Sequence, residues 1–327
     1  MSNKLPSAVF LSGKIVEKNV FIFSSRLDSL PDGEYHHARI SGYKDGEFIF
    51  QDRDMQVVSV CVRRASAEEP LRASCLLPRF KSVVGFFQKG GDQYDEVLPE
   101  SPGDGAGVMS QLRLIDGQLY AAGYGGCVFK RLSKSNWRVL SEGLNIEGSR
   151  ENAGLSPAGS TGKSFKKTRI NAINGGGGKI FCAGHQGEVF FLNDDKWVRV
   201  NSDTNAILYD IEIDGAGSVY ISGKGGVLIK GDERGFKALH TGIDDYLVSM
   251  AFFDGVLYVG GTKGLYHLKN DVLYPVATNQ RSSFNCVELD AYDGQLLVVS
   301  DRWFLVFDGK SWQRIDNPDN SDILKNQ

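Results

Sequence analysis

The sequence predicts an all-β fold, a β-propeller: a closed ring of small four-stranded sheets. Three observations carry this. A strand–turn–strand unit, clearest in Phe253-Asp-Gly-Val-Leu-Tyr-Val-Gly-Gly-Thr-Lys-Gly-Leu-Tyr-His-Leu268, is written five times. Its second-strand glycine, or a substitute, falls at Gly123, Gly184, Gly223, Gly260 and Ser300, so the last three steps have the spacing of propeller blades. Glycine is abundant, 39 of 327 residues, while proline is scarce at 9, which suits tight turns between short strands rather than a low-complexity chain.

Read in order, residues 6–54 hold four strand-like runs: Ala8 to Val16, Asn19 to Ser24, Tyr35 to Ser41 and Glu47 to Gln51, with turn chemistry at Leu30-Pro-Asp-Gly33 and Lys44-Asp-Gly46. Residues 55–100 repeat this less cleanly, with Met55 to Arg63, Ala73 to Leu77, Ser82 to Gln88 and Tyr94 to Leu98. The polar stretch Ala65 to Leu71 between them has room for a helical turn. From residue 105 to 316 the repeat is plain. Each unit opens on an alternating strand such as Gln111 to Ile115 or Tyr209 to Ile213, and turns at pairs such as Asp116-Gly117 or Asp254-Gly255. Each closes on an apolar residue ahead of a charged strand, at Trp137, Trp197, Phe236, Leu273 and Trp312; Tyr94 matches that position in the second unit.

A four-stranded sheet cannot bury both faces alone, and radial stacking buries them between neighbours. Arg and Lys on the closing strands discourage edge-to-edge pairing. Two degenerate units and five clear ones give seven blades in a single domain, residues 1–327; six is the alternative, if residues 6–100 form one elaborated blade. An insertion occupies about 147–167, and the polar tail 317–327 is expected to fray.

The formal net charge of −3 argues against a general nucleic-acid binder, which needs a basic face. The cysteines, Cys61, Cys75, Cys127, Cys182 and Cys286, are odd in number and lack CxxC spacing, which fits reduced residues in a packed interior. The N-terminal residues lack a signal-peptide core, and no run has the length of a membrane span, so a cytoplasmic protein without membrane contact is expected.

Leu257-Tyr-Val-Gly-Gly-Thr-Lys-Gly-Leu-Tyr-His-Leu268 resembles the repeat of the propellers in bacterial two-component sensor regulators, and the resemblance covers residues 105–316. It implies the propeller fold. In that family the propeller precedes a membrane span and a kinase; neither is present here, so the sensor role is not carried over. The Gly-His and Trp-Asp pairs of WD40 blades and the Ser-x-Asp-x-Gly-x-Thr-Trp box of sialidase-like propellers are absent.

If the first strand of each blade lines the channel, the turns joining second and third strands share one face with the loops joining consecutive blades. That face should carry Tyr124, His185, Gln186, Lys224, Lys263, Asp301, Arg302 and Trp303 as partner-binding candidates. Trp303 reads either as an interface anchor or as packing over the next blade. The insertion emerges on the same face and adds Lys163, Lys166 and Lys167. Within it, Gly159-Ser-Thr-Gly-Lys-Ser164 is no phosphate loop, because position 157 is Pro and a strand follows. His36-His37 point to opposite faces of a strand and cannot simply chelate one metal. No catalytic residue, metal or cofactor is expected.

The expected function is non-catalytic binding of another protein in trans, specifically as a cytosolic neutralising (immunity) partner of a bacterial toxin or effector. One alternative is a carbohydrate-active or lyase-type enzyme, which would need two carboxylates about 5–10 Å apart at the channel mouth. An assembly scaffold is the other.

Overall fold

The computed structural model describes residues 7–31, 33, 36–100, 108–144, 146, 147, 165, 166, 168–280 and 283–325. Seven four-stranded antiparallel sheets, each of four strands consecutive in sequence, form the blades. Blade 1 comprises Ala8–Glu17, Val20–Leu27, Ala38–Lys44 and Glu47–Arg53, and blade 2 Val57–Arg63, Ala73–Pro78, Val83–Gln88 and Gln93–Val97. Residues 6–100 therefore make two blades. Blade 3 comprises Met109–Ile115, Gln118–Gly123, Cys127–Ser133 and Asn136–Val139; blade 4, Ile170–Gly176, Lys179–Gly184, Val189–Asn193 and Lys196–Val200. Blade 5 comprises Leu208–Ile213, Val219–Gly223, Leu228–Asp232 and Gly235–Ala238; blade 6, Leu247–Phe253, Val256–Gly261, Gly264–Lys269 and Val272–Pro275. Blade 7 comprises Cys286–Tyr292, Gln295–Ser300, Trp303–Phe307 and Trp312–Asp316.

The first strand of each blade is innermost and packs on the first strands of both neighbours, which closes the ring. Side chains alternate between the two faces of a strand, so each sheet feeds two different cores. In blade 4, Phe181 points into the core shared with blade 5, while Ile180 and Cys182 point into the core shared with blade 3. The buried apolar residues form one such cluster at every step round the ring. All five cysteines are free and buried in these cores, and burial pushes the Cys61 thiol up to about 11.

Three local expectations change. Ala65 to Leu71 is irregular rather than helical: Arg63 donates to the carbonyls of Glu69 and Leu71, and Ser66 Oγ accepts from the Glu69 N–H. Tyr94 is not the counterpart of Trp137. It stacks on Phe86 at 5.0 Å and faces blade 3, whereas Trp137 faces blade 2, the opposite side of its own sheet.

The tail does not fray. A 3-10 turn, Pro318–Asn320, lies at the seam between blades 7 and 1 and leads into a short helix, Ser321–Leu324, whose Leu324 packs into the core between blades 6 and 7. No strand is exchanged across that seam. Instead the fully buried Asn320 accepts from the Ala8 N–H (2.9 Å) and donates to the carbonyls of Ala8 (2.8 Å) and Arg302 (3.0 Å). Arg39 of blade 1 adds an ion pair to the buried Asp319 at 3.0 Å.

Candidate functional site

The sequence-derived corners do share one end of the ring, and backbone hydrogen bonds fix them. The residue after the second strand donates its N–H to the carbonyl just ahead of the same blade's innermost strand: Arg79 to Gln56 (2.9 Å), Tyr124 to Val108 (2.8 Å), His185 to Arg169 (3.1 Å), Lys224 to Ile207 (2.8 Å) and Thr262 to Tyr246 (3.2 Å). These crossings explain the repeating glycine. A Cβ on Gly123, Gly184 or Gly223 would collide with the carbonyl oxygen of Val108, Arg169 or Ile207. In blade 6 the register equivalent is Gly261, opposite Leu247, rather than Gly260.

Tyr124, His185 and Lys224 come together with three residues that the sequence reading passed over, Arg169, Tyr209 and Tyr246. The Tyr124 and His185 rings meet edge-on at 5.9 Å, and the Arg169 guanidinium lies 5.7 Å from the Tyr124 centroid. Tyr209 and Tyr246 lie 6.4 Å apart, and the Lys224 amine sits 5.3 Å from the Tyr246 ring. Tyr246 is 43% exposed. Burial, and then the charge of Arg169, hold His185 below the ordinary histidine value. Gln186 is exposed at the tip of its corner, with φ of 56°.

The remaining candidates are placed differently. The Lys263 amine donates to the Asp244 carbonyl, and the buried Asp245 fixes the Lys263 corner by accepting from the Thr262 Oγ1 (2.5 Å) and the Lys263 N–H (2.9 Å). A groove of 460 Å³ lies beside it, lined in part by Tyr266, Gln280 and Phe284. Arg302 is committed to the seam, bonded to Asp28 and to the Ala8 carbonyl, while the Asp301 carbonyl accepts from the Phe10 N–H. Trp303 is a correction: only 5% exposed, it begins a strand and packs against Phe284 at 5.0 Å, so it is core rather than anchor. Lys166 lies in a two-stranded ribbon, Ile146–Glu147 with Phe165–Lys166, at the base of the insertion; Lys163 and Lys167 lie outside the described residues. Blade 2 contributes a corner absent from the expectation, Arg79 to Ser82, where Phe80 is 49% exposed.

The channel answers the enzymatic alternative. Each innermost strand has a β-bulge near its start, which sets a polar side chain against the next blade. Ser12 Oγ accepts from the Val60 N–H (2.9 Å), Ser59 Oγ from Leu112 (3.1 Å), Gln111 Oε1 from Ile173 (2.7 Å), Asp210 Oδ2 from Met250 (2.7 Å), Ser249 Oγ from Leu289 (3.0 Å) and Glu288 Oε2 from Gly13 (2.8 Å). Between blades 4 and 5 the direction reverses, with Asn171 and Asn174 donating to the carbonyls of Leu208 and Ile211. The belt runs round the whole ring.

Carboxylates do approach one another inside: Glu288 and Asp290 lie 2.5 and 3.6 Å from the Lys14 amine, and Glu212 is bonded to Arg113. Burial disfavours the Lys14 ammonium, but Glu288 and Asp290 outweigh it and raise its pKa. Burial lifts Glu212 to about 7 against the pull of Arg113. Lys14, Asp290, Arg113 and Glu212 border a cavity of 250 Å³. Among the described residues no group of three or more His, Cys, Asp or Glu side chains is placed to hold a metal ion, and no helix is long and apolar enough to cross a membrane.

Comparison with known proteins places these features in context. No family model matches the chain. It is 29% identical over 317 residues to the immune protein Tsi7 of Pseudomonas aeruginosa, covering 94% of this chain and 96% of that one. Among solved structures it is similar to YCF48 bound to a D1 peptide, with TM-score 0.60, 13% identity and coverage of 96% and 94%. It is also similar to a catalytically inactive virginiamycin B lyase from Staphylococcus aureus with quinupristin, with TM-score 0.66, 8% identity and coverage of 92% and 94%. One of these folds holds a peptide and the other belongs to a lyase, so the structural likeness establishes the propeller and leaves function to the site.

Proposed function

We propose that this chain is a non-catalytic, cytoplasmic immunity protein, a β-propeller that neutralises a bacterial toxin by binding it in trans. The observation that carries the reading is the likeness to an immune protein over nearly the full length of both chains. The channel supports it physically. The polar side chains that a channel-mouth enzyme would need are engaged in joining one blade to the next. Tyr246, Arg169 and Lys224 remain exposed together at the corner end, a grouping suited to protein contact. Neutralisation then needs only a rigid surface that covers the toxin's working parts. Nucleic acid is not the ligand in this reading.

The test is expression of the toxin encoded beside this gene, with and without this chain. Growth arrest relieved only when the chain is present is the expected result; arrest that persists beside well-expressed, folded chain refutes the reading. One observation favours an enzyme instead, the Glu212 carboxyl raised to about 7 beside the channel cavity. Glu212→Gln separates the two readings: protection survives it if the chain works by binding and is lost if Glu212 transfers a proton.

A further inference from the structure

Three tyrosines and two cations run along the corner end from blade 3 to blade 6. We infer that the crescent Tyr124, Arg169, His185, Tyr209, Lys224 and Tyr246 is the contact surface for an acidic segment of the partner protein, an inference that rests on the toxin-binding reading above.

The charge is both available and positioned. Arg169 and Lys224 are exposed, and each lies against a tyrosine face. Such stacking restricts a long side chain without neutralising it, so less freedom is lost when a carboxylate arrives. The backbone beneath is equally fixed. Tyr124 bridges to Arg169, His185 donates to the Arg169 carbonyl and Lys224 to the Ile207 carbonyl. Tyrosine and arginine on a rigid base are the residue types that dominate binding energy at protein interfaces.

The turns at the opposite end are mixed in charge: Asp116, Asp194, Asp195, Asp254 and Asp293 stand there with positive φ, beside exposed Lys18, Lys134 and Lys310, and Arg138 pairs with Asp195. The crescent differs in setting its two cations against aromatic rings, a match for carboxylates carried on a peptide. Aromatic rings and cations can also hold single-stranded nucleic acid, an outcome that competition by oligo(dT) separates.

The test uses a fluorescein-labelled poly(Glu-Asp) peptide, with oligo(dT) as competitor, followed by anisotropy at low salt on full-length protein. The peptide should bind, and Arg169→Glu with Lys224→Glu should weaken it at least about tenfold, while Lys134→Glu with Lys310→Glu at the opposite end should change it less than about threefold. Tyr246→Ala, with unchanged circular dichroism, should weaken it as well. Failure to bind, indifference to the crescent substitutions, or displacement by oligo(dT) at lower concentration than by unlabelled peptide would each overturn the inference. Peptide bound at the crescent with no toxin neutralised removes the toxin-binding reading and leaves the acidic-segment site standing. A neutralised toxin whose complex is indifferent to the crescent substitutions does the reverse.

Discussion

Replacing Asn320 with alanine should loosen the ring at one seam. Every other pair of neighbouring blades is joined by continuous chain, but blades 7 and 1 are held by non-covalent contacts alone: packing, polar contacts such as Glu288 with Gly13 and Arg302 with Asp28, and the C-terminal segment. The Asn320 side chain is fully buried and makes three hydrogen bonds, two across that seam to Ala8, itself fully buried, and one to Arg302 of blade 7. At about 1 kcal/mol net per hydrogen bond, plus the cost of a buried Ala8 N–H left without a partner, Asn320→Ala should destabilise the protein by about 3–5 kcal/mol. That is a large share of the 5–15 kcal/mol typical of a folded domain. Asn320→Asp should be no better: the carboxylate can still accept from Ala8 but faces two carbonyl oxygens where the amide donated. Urea unfolding followed by tryptophan fluorescence gives the magnitude. Hydrogen exchange gives the location, because amides of Ala8–Glu17 should exchange faster while those of Ile170–Gly176, across the ring, keep their protection. A loss below about 0.5 kcal/mol, with unchanged exchange in blade 1, would show that the other contacts across the seam close the ring without Asn320.

Three further outcomes are expected. Glu96 is buried between blades 2 and 3, where it accepts from Arg131 and from Trp137 Nε1 (2.7 Å); Glu96→Ala leaves Arg131 paired with Glu69 alone and Trp137 Nε1 without its acceptor, and should cost about 2–3 kcal/mol by urea titration, with Glu96→Gln milder. Gly184→Ala should lower the melting temperature sharply, because the new Cβ meets the Arg169 carbonyl, whereas Gly176→Ala, facing open space, should leave it nearly unchanged. Burial disfavours the Asp28 carboxylate, but Arg302 and Ser7 outweigh it, and hydrogen bonding from Arg39 lowers Asp52, so both sit below the ordinary aspartate value in the folded chain. Their stabilisation is present above the unfolded-state value and is lost as pH falls through the folded-state one. Asp28→Asn with Asp52→Asn should therefore flatten the acid limb of the stability–pH curve below about pH 4, and an unaltered limb would show that the two pairs contribute nothing.

The ring was legible in the sequence because its strongest constraint is local. A glycine recurs in blades 3, 4 and 5 where the corner passes beneath the carbonyl ahead of the innermost strand, and the collision that enforces it repeats at Gly123, Gly184 and Gly223. Of the two readings of Trp303, packing holds, because two residues, Asp301 and Arg302, complete the turn and the strand begins at the tryptophan itself. The tail was misread because what holds Asn320 is Ala8, at the far end of the chain, a contact that no window of local polarity registers. Tyr94 was placed one face out because an aromatic residue in a short fourth strand does not by itself fix the register.

For the site, the sequence supplied Tyr124, His185 and Lys224 but not their companions. Arg169, Tyr209 and Tyr246 stand within a residue of Ile170, Leu208 and Leu247, the apolar residues that open three innermost strands. That position, read across all units, was the signal available. Its meaning depends on the β-bulge that opens each of those strands, which composition does not reveal.

Binding and catalysis part most directly in a titration of toxin activity with purified chain. Activity should fall in a straight line and vanish at one equivalent of chain per toxin, with intact toxin recovered when the complex is dissociated. Inactivation by far less than one equivalent, or toxin that stays chemically altered after separation, would contradict a protein that protects by occupying its partner.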